Sequence, residues 1–167
     1  MITLQNLIET LPQLGRVEWI GIRSARKQPL TPVEQVQATK DRGLEGDHYS
    51  KIGGKRQVTL IQAEHLEAVA SMLGIDIIKP ETTRRNIVVR GINLLALKDK
   101  HFKLGDVTLA FTGLCHPCSR METLLGPGGY NAMRGHGGIT ARVLHGGLIR
   151  VGDVVGIRGT VYLIPTA

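Results

Sequence analysis

Aromatic residues and long apolar runs are both scarce in this sequence. Phe, Trp and Tyr together make up 4% of its 167 residues, so a hydrophobic core must be built mainly from Val, Ile and Leu, which suit β-strands. Nowhere do about eighteen apolar residues stand together, and residues 1–9 lack the basic stretch and apolar run of a secretory signal. We therefore expect a cytoplasmic protein that has no membrane partner.

Cysteine is also scarce, and both cysteines fall in one short stretch. Cys115 and Cys118 are close neighbours, and His116 and Arg120 are the nearby cations. In a cytoplasmic protein such a pair serves more often as metal ligands, redox partners or nucleophiles than as a structural disulfide. A thiolate is a soft metal ligand and a strong nucleophile, and nearby positive charge favours it over the thiol. This stretch is therefore the first candidate for a reactive site.

Acidic residues are too few to balance the basic ones. The sequence has 14 Asp and Glu against 21 Lys and Arg, a formal net charge of +7, which favours anionic partners such as nucleic acid, membrane headgroups or a phosphorylated small molecule. The pattern offers no aromatic stacking platform and no recognition helix, so we expect no nucleic-acid partner. With 42% apolar and 21% charged residues, the length suits one globular domain, which we place over residues 1–167.

Few segments have helical periodicity. Residues 63–73 place apolar residues on one face and end at Gly74, which predicts an amphipathic helix with a glycine stop. The first segment, residues 1–14, predicts a short helix that ends before Pro12 and lies on the rest of the protein as an appendage. Residues 117–125 predict a helical turn or two, and the glycine-rich residues 126–138 predict a loop.

Most of the remaining chain predicts short β-strands. Alternating or continuous apolar residues between turn signals place them at 15–22, 33–38, 57–61, 86–89, 101–112 as a pair about Gly105, 139–145 and 148–157. Many short strands with few helices predict a mainly β fold of the α+β class with a barrel-like or sandwich-like architecture.

Six stretches, taken in their order along the chain, resemble a known family. They are GLEGDH at 43–48, RQVTLI at 56–61, RRNIVVRG at 84–91, LGD at 104–106, PC at 117–118 and GLIRVGDVV at 147–155. This ordered set resembles the MOSC domain, the C-terminal domain of molybdenum cofactor sulfurases. The resemblance implies a MOSC-type β-barrel core, stand-alone bacterial relatives, and one reactive cysteine that carries sulfur or binds molybdenum held by molybdopterin.

The resemblance also assigns candidate site residues. It implies that Cys118 is the metal ligand and a catalytic residue, and neighbouring histidines suit proton donation near neutral pH: His116 and His136. The phosphate of molybdopterin needs fixed donors. The candidates for cofactor binding are Arg84, Arg85, Asn86, Arg56, Lys55, Asp47 and His48.

Two functions follow from the resemblance. In the first, the protein is a molybdenum-dependent oxidoreductase that reduces N-hydroxylated small molecules with electrons from a separate electron-transfer protein. In the second, it is a sulfur carrier that receives persulfide from a pyridoxal-phosphate-dependent cysteine desulfurase.

The residues alone leave two further alternatives. The Cys115 to Cys118 spacing is that of a thioredoxin-like dithiol, although it lies late in the chain among β-strands. A zinc site is the other alternative, with Cys115, Cys118, His136 and His145 as its ligands.

Overall fold

The computed structural model describes residues 1–157. Its strands are β1 Gly15–Ile22, β2 Thr31–Pro32, β3 Gln35–Thr39, β4 Gly43–Leu44, β5 Val58–Gln62, β6 Ile87–Arg90, β7 His101–Leu104, β8 Val107–Leu114, β9 Ile139–His145, β10 Gly147–Arg150 and β11 Val154–Gly156. Its helices are α1 Leu4–Glu9, α2 Ala63–Leu73, α3 Pro80–Thr83, α4 Ser119–Leu125 and α5 Gly129–Met133, with a 3₁₀ turn at Leu94–Leu97. The single domain predicted for residues 1–167 extends beyond the described residues.

Seven of these strands close a β-barrel. Their order is β11-β7-β8-β9-β5-β6-β1, and β11 pairs with β1 to complete the ring. Neighbouring strands run antiparallel except β5 and β6, which are parallel. Outside the ring, β2 pairs with β1, and a second sheet has the order β10-β3-β4. The predicted α+β class with a barrel core is confirmed.

The barrel interior is filled by apolar side chains that alternate with outward residues. On β9, Ile139, Ala141 and Val143 are buried in the core, whereas Arg142 between them is exposed. Each fully buried Val, Leu, Ile or Phe contributes roughly 1.5–3 kcal/mol. The large, fully buried side chains of this core include those of Phe102, Ile20, Leu60, Ile87, Leu104 and Leu109.

Helix α2 covers the outside of the barrel. Its Leu66 and Val69 pack against Ile61 of β5 and Val88 of β6. Because β5 faces the core on one side and α2 on the other, every residue of this strand is buried. The prediction of a helix over 63–73 is confirmed, and Gly74 caps it in the left-handed conformation with φ of 66°.

Helix α1 forms as expected, none of its residues is buried, and Leu11 beyond its end enters the core. The prediction of a loop over residues 126–138 is wrong, because α5 lies within them and buries Ala132 and Met133. A helix this short has no sequence period of its own, and its burial depends on packing against α2 and α4. Within residues 1–157, none of the helices has both the length and the apolar character needed to cross a membrane.

Candidate functional site

Both cysteines lie in the segment that connects β8 of the barrel to α4. Cys115 follows the last residue of β8 and is buried, with its amide donating to the Gly138 carbonyl at 2.8 Å. Cys118 is the residue that precedes α4; its side chain is exposed and makes no capping hydrogen bond. Burial raises the pKa of the Cys115 thiol, which favours its protonated form. Cys118 is therefore the thiol available for chemistry.

A cavity of about 130 Å³ opens beside both cysteines; we call it the cysteine cavity. Since a water molecule occupies about 30 Å³ in the liquid, this space accommodates a group the size of a phosphate. The residues that line it are Arg23, Tyr49, Arg56, Thr59, Arg84, Arg85, Cys115, His116, Cys118 and Met121.

Arg23 is a functional candidate that the sequence did not reveal. Only 5% of this residue is exposed. Its Nε donates to Nδ1 of His48 at 3.2 Å, and its guanidinium lies 5.2 Å from the centroid of the Tyr49 ring. Its Nη1 is buried without a hydrogen-bond partner among the described residues. A buried guanidinium nitrogen without a partner is costly. Arg23 also lines the cavity, so its positive charge favours an anion there.

The other arginines of the cavity are held in different ways. Arg85 donates from Nε to the Gly137 carbonyl at 2.7 Å and from Nη1 to the Thr83 carbonyl at 2.8 Å, so its guanidinium is fixed in place. Arg84 caps α3 in the left-handed conformation. Burial, followed by repulsion from Arg23 and Arg120, lowers the pKa of Arg84.

Within residues 1–157, no carboxylate forms an ion pair with the arginines of the cysteine cavity. The ion pairs found in residues 1–157 involve Asp47, Glu18, Glu67 and Asp106, and their cationic partners are His48, Arg90 and Arg150. The four arginines of the cysteine cavity therefore create a positive potential that favours an anion.

A wider groove adjoins the cysteine cavity. It has a volume of about 440 Å³ and shares Arg84 with the cavity; we call it the basic groove. Its lining residues are Lys27, Arg84, Ser119, Arg120, Thr123 and Leu124.

Asp47 and Asn86 form the scaffold behind the cavity. The Oδ1 of Asp47 accepts from the Arg23 amide at 3.0 Å and from Nδ2 of Asn86 at 3.1 Å, and its Oδ2 accepts from the Tyr49 amide at 3.1 Å. Asn86 also accepts from the amide and hydroxyl of Thr59 and donates to the Gly21 carbonyl. Both side chains are buried and do not line the cavity. The structure thus places them where they position the cavity residues instead of facing a ligand.

The remaining predicted residues divide between the cavity and other places. His116 and Arg56 both line the cavity, as Cys118 does. His48 accepts a hydrogen bond from the Arg23 side chain. Burial, followed by the charge of Arg23, lowers the pKa of His48. Lys55 is exposed and is not among the lining residues.

His136 lies away from the cavity lining. Its ring packs edge to face on that of His65, with the centroids 4.9 Å apart, and its Nδ1 is 2.9 Å from the Arg134 carbonyl oxygen. The structure therefore places His116 in the lining of the same cavity as Cys118, whereas His136 packs against His65.

The zinc and dithiol alternatives do not match the geometry. In the described range, no three His, Cys, Asp or Glu side chains lie close enough together to hold a metal ion. His145 pairs with Thr108, whereas Cys115 follows Leu114, which pairs with Ile139. Six residues of strand separate the two ends of β9 by about 20 Å. The dithiol alternative needs a long helix in a βαβ unit, but α4 has seven residues and follows a barrel strand.

Comparison with known proteins agrees with this architecture. The family model for the MOSC domain matches residues 46–156, so the chain belongs to the MOSC domain family. The solved structures that resemble it include the YuaD protein from Bacillus subtilis, with a TM-score of 0.76, 18% identity, and coverage of 87% of this chain and 97% of that one.

Two YiiM structures are also similar in fold. YiiM from Geobacillus stearothermophilus has a TM-score of 0.67 and 19% identity, with 88% of this chain and 77% of that chain covered. YiiM from Escherichia coli has a TM-score of 0.66 and 16% identity, with 89% and 72% covered. A search of curated protein sequences found no match.

Proposed function

We propose that this MOSC protein binds a molybdenum–molybdopterin cofactor through Cys118 and acts as an oxidoreductase on N-hydroxylated small molecules. The observation that carries the proposal is that one small cavity is lined by an exposed thiol and by four arginines that have no carboxylate partner in residues 1–157. The predicted cytoplasmic location is part of the same proposal.

The residues present fit the anionic end of such a cofactor. Arg23 lines the cavity and, among the described residues, its Nη1 has no hydrogen-bond partner, while Arg85 presents a guanidinium fixed by two backbone carbonyls. Arginine binds phosphate through a planar pair of donors, and a thiolate is a soft ligand for a metal. The cysteine cavity has room for a phosphate group, and Cys118 stands at its edge. Cys118 would hold the metal, and Arg23, Arg56 and Arg85 would hold the phosphate.

When bound, the cofactor supplies two-electron redox chemistry. The net reaction is R–NH–OH + 2e⁻ + 2H⁺ → R–NH₂ + H₂O, in which the N–O bond breaks. His116 lines the cavity beside Cys118 and can deliver a proton to the departing oxygen. The arginines hold the anionic groups in place and favour negative charge at the site. The electrons come from a separate flavin or iron–sulfur protein, since the two cysteines of this chain are too few for its own cluster.

Substitution of Cys118 tests this proposal. Wild-type protein from cells that make molybdenum cofactor is expected to contain molybdenum and, with a chemical reductant, to reduce an aryl hydroxylamine. Cys118→Ser is expected to lose both metal and turnover, because a hydroxyl is a harder and less acidic ligand than a thiol. Cys115→Ser is the matched control, in which the buried cysteine is changed and metal content and turnover persist. Metal content is measured by elemental analysis and turnover by product chromatography.

Loaded protein without turnover would contradict the reductase proposal. The sulfur-carrier alternative is favoured by the exposure of the Cys118 thiol, which a partner protein can reach. In that case, incubation with a cysteine desulfurase and cysteine adds one sulfur atom to Cys118, as mass spectrometry of the intact protein would show. Absence of both molybdenum and added sulfur would contradict both functions.

A further inference from the structure

The basic groove beyond the cysteine cavity adds two cations that do not line that cavity, Lys27 and Arg120. Lys27, Arg84 and Arg120 line it, together with the hydroxyl-bearing Ser119 and Thr123. None of its three cations is paired with a carboxylate in residues 1–157. The groove therefore combines several phosphate donors with an uncompensated positive charge.

Two of the cations that line the basic groove also have strained backbone conformations. Lys27 has φ of 72° and Arg84 has φ of 63°, in the left-handed region that favours glycine. Within residues 1–157, the other non-glycine residues with positive φ are Asp41 and Asp99. Strained backbone is retained where the surrounding structure requires it, and such positions cluster at ligand sites. Here both strained cations line the same groove.

One anion would not neutralise the combined site. The cysteine cavity and the groove together hold six cations, namely Arg23, Arg56, Arg84, Arg85, Lys27 and Arg120. A phosphate group carries about two negative charges. Arg84 lies between Arg23 on the cavity side and Arg120 on the groove side and is repelled by both. After one anion has bound in the cavity, repulsion among the remaining cations persists, and a second anion bound in the groove would reduce it.

We propose that the basic groove binds the phosphate of a phosphate monoester and, resting on the proposed function, that this monoester is the N-hydroxylated substrate. Ser119 directly follows Cys118, so the groove begins where the cavity ends. The phosphate binds Lys27, Arg84 and Arg120, and the reacting end of the molecule extends toward Cys118. The exposed side chain of Leu124 provides an apolar surface for the organic part.

Nuclear magnetic resonance titration of the purified protein tests the site directly. The probe is phenyl phosphate, with phenol as its uncharged counterpart. Phenyl phosphate is expected to shift the amide signals of Ser119, Arg120 and Thr123 in a saturable manner, with an affinity that falls as salt rises. Phenol is expected to bind at least about tenfold more weakly, because it lacks the charge-assisted hydrogen bonds. Equal affinities for the two probes would overturn the proposal.

Variants locate the phosphate. Arg120→Ala and Lys27→Gly are each expected to weaken phenyl phosphate binding by about tenfold. Arg142→Ala is the control, since Arg142 is an exposed arginine on β9 that lines neither the cavity nor the groove. A loss in Arg142→Ala as large as in Arg120→Ala would show that only the net charge attracts the ligand and would overturn the site.

A second measurement separates a substrate phosphate from the cofactor phosphate. Protein from cofactor-producing cells is expected to contain the same amount of molybdenum in Arg120→Ala as in wild type. A parallel loss of molybdenum would assign the groove to the cofactor and overturn the proposal. If phenyl phosphate binds as expected but the loaded protein does not reduce hydroxylamines, the reductase function fails while the phosphate site is supported.

Discussion

At the scale of single residues, the site depends on arginines held in costly arrangements. Arg23 is buried, and one of its guanidinium nitrogens has no hydrogen-bond partner in residues 1–157. Arg84 adopts a left-handed backbone conformation. Each arrangement costs folding free energy that an apolar residue or a glycine at the same position would not. The carboxylate of Asp47 holds the Arg23 backbone instead of neutralising its guanidinium. The residues therefore favour an anion at the expense of stability.

Substitution of Arg84 by glycine tests this trade-off. The left-handed conformation costs a non-glycine residue about 1–2 kcal/mol, and glycine loses about 0.5–1 kcal/mol through backbone entropy. Arg84→Gly is therefore expected to raise the free energy of unfolding by about 0.5–1 kcal/mol, and the relief of repulsion from Arg23 and Arg120 acts in the same direction. Urea unfolding measures the change. Arg84→Ala is the control, since it removes the charge but keeps the strain. Lower stability in Arg84→Gly than in Arg84→Ala would contradict the role of backbone strain.

At the scale of elements, one glycine-rich loop fixes the cysteine segment against the barrel. Residues 134–138 connect α5 to β9; Gly138 accepts from the Cys115 amide and Gly137 accepts from Arg85. A Cβ on Gly137 would collide with the Cys115 carbonyl oxygen. The close approach of these two backbones sets the position of both Cys115 and Arg85.

Gly137→Ala tests this packing. The neighbouring atom belongs to the backbone and cannot rotate away, so we expect a loss of unfolding free energy of about 3 kcal/mol. Gly135→Ala in the same loop has open space around its Cβ and is expected to lose only about 1 kcal/mol through its positive φ. Thermal and urea unfolding provide the comparison. Similar losses in the two variants would show that the close approach to Cys115 is unimportant.

At the scale of the whole molecule, the barrel depends on the last described strand. β11 pairs with β7 on one side and with β1 on the other, so a segment of three residues joins the two ends of the ring. Val155 is fully buried in the core, whereas Val154 beside it is exposed.

Val155→Ala tests the contribution of the closing strand. Removing two buried methyl groups is expected to lower the free energy of unfolding by about 2 kcal/mol, through lost burial and the space left behind. Val154→Ala makes the same chemical change on the exposed side of the strand and is expected to change the free energy of unfolding by less than about 0.5 kcal/mol. Urea unfolding followed by circular dichroism measures both. Equal effects would contradict the assignment of Val155 to the closing core.

Local patterns in the sequence were enough to predict several features of the protein. The period of residues 63–73 and the glycine at 74 predicted α2, because amphipathic helices and their caps are encoded within a few turns. The turn at Gly105 predicted the β7–β8 pair for the same reason. The scarcity of cysteine drew attention to Cys118, since a thiol is chemically distinctive in any context.

The tertiary structure alone decided which side chains share a cavity. Arg23 and Tyr49 meet Cys118 because the pairing of β1 with β6 and the hydrogen bonds of Asp47 join segments that are far apart in sequence. Asp47 also accepts a hydrogen bond from the side chain of Asn86, which keeps Asn86 out of the cavity lining. The loop that follows α5 places the ring of His136 against that of His65. Residue types and hydrophobic periods can be read from short stretches of sequence. Which side chains meet in one site depends on long-range strand pairing, which no short stretch of sequence encodes.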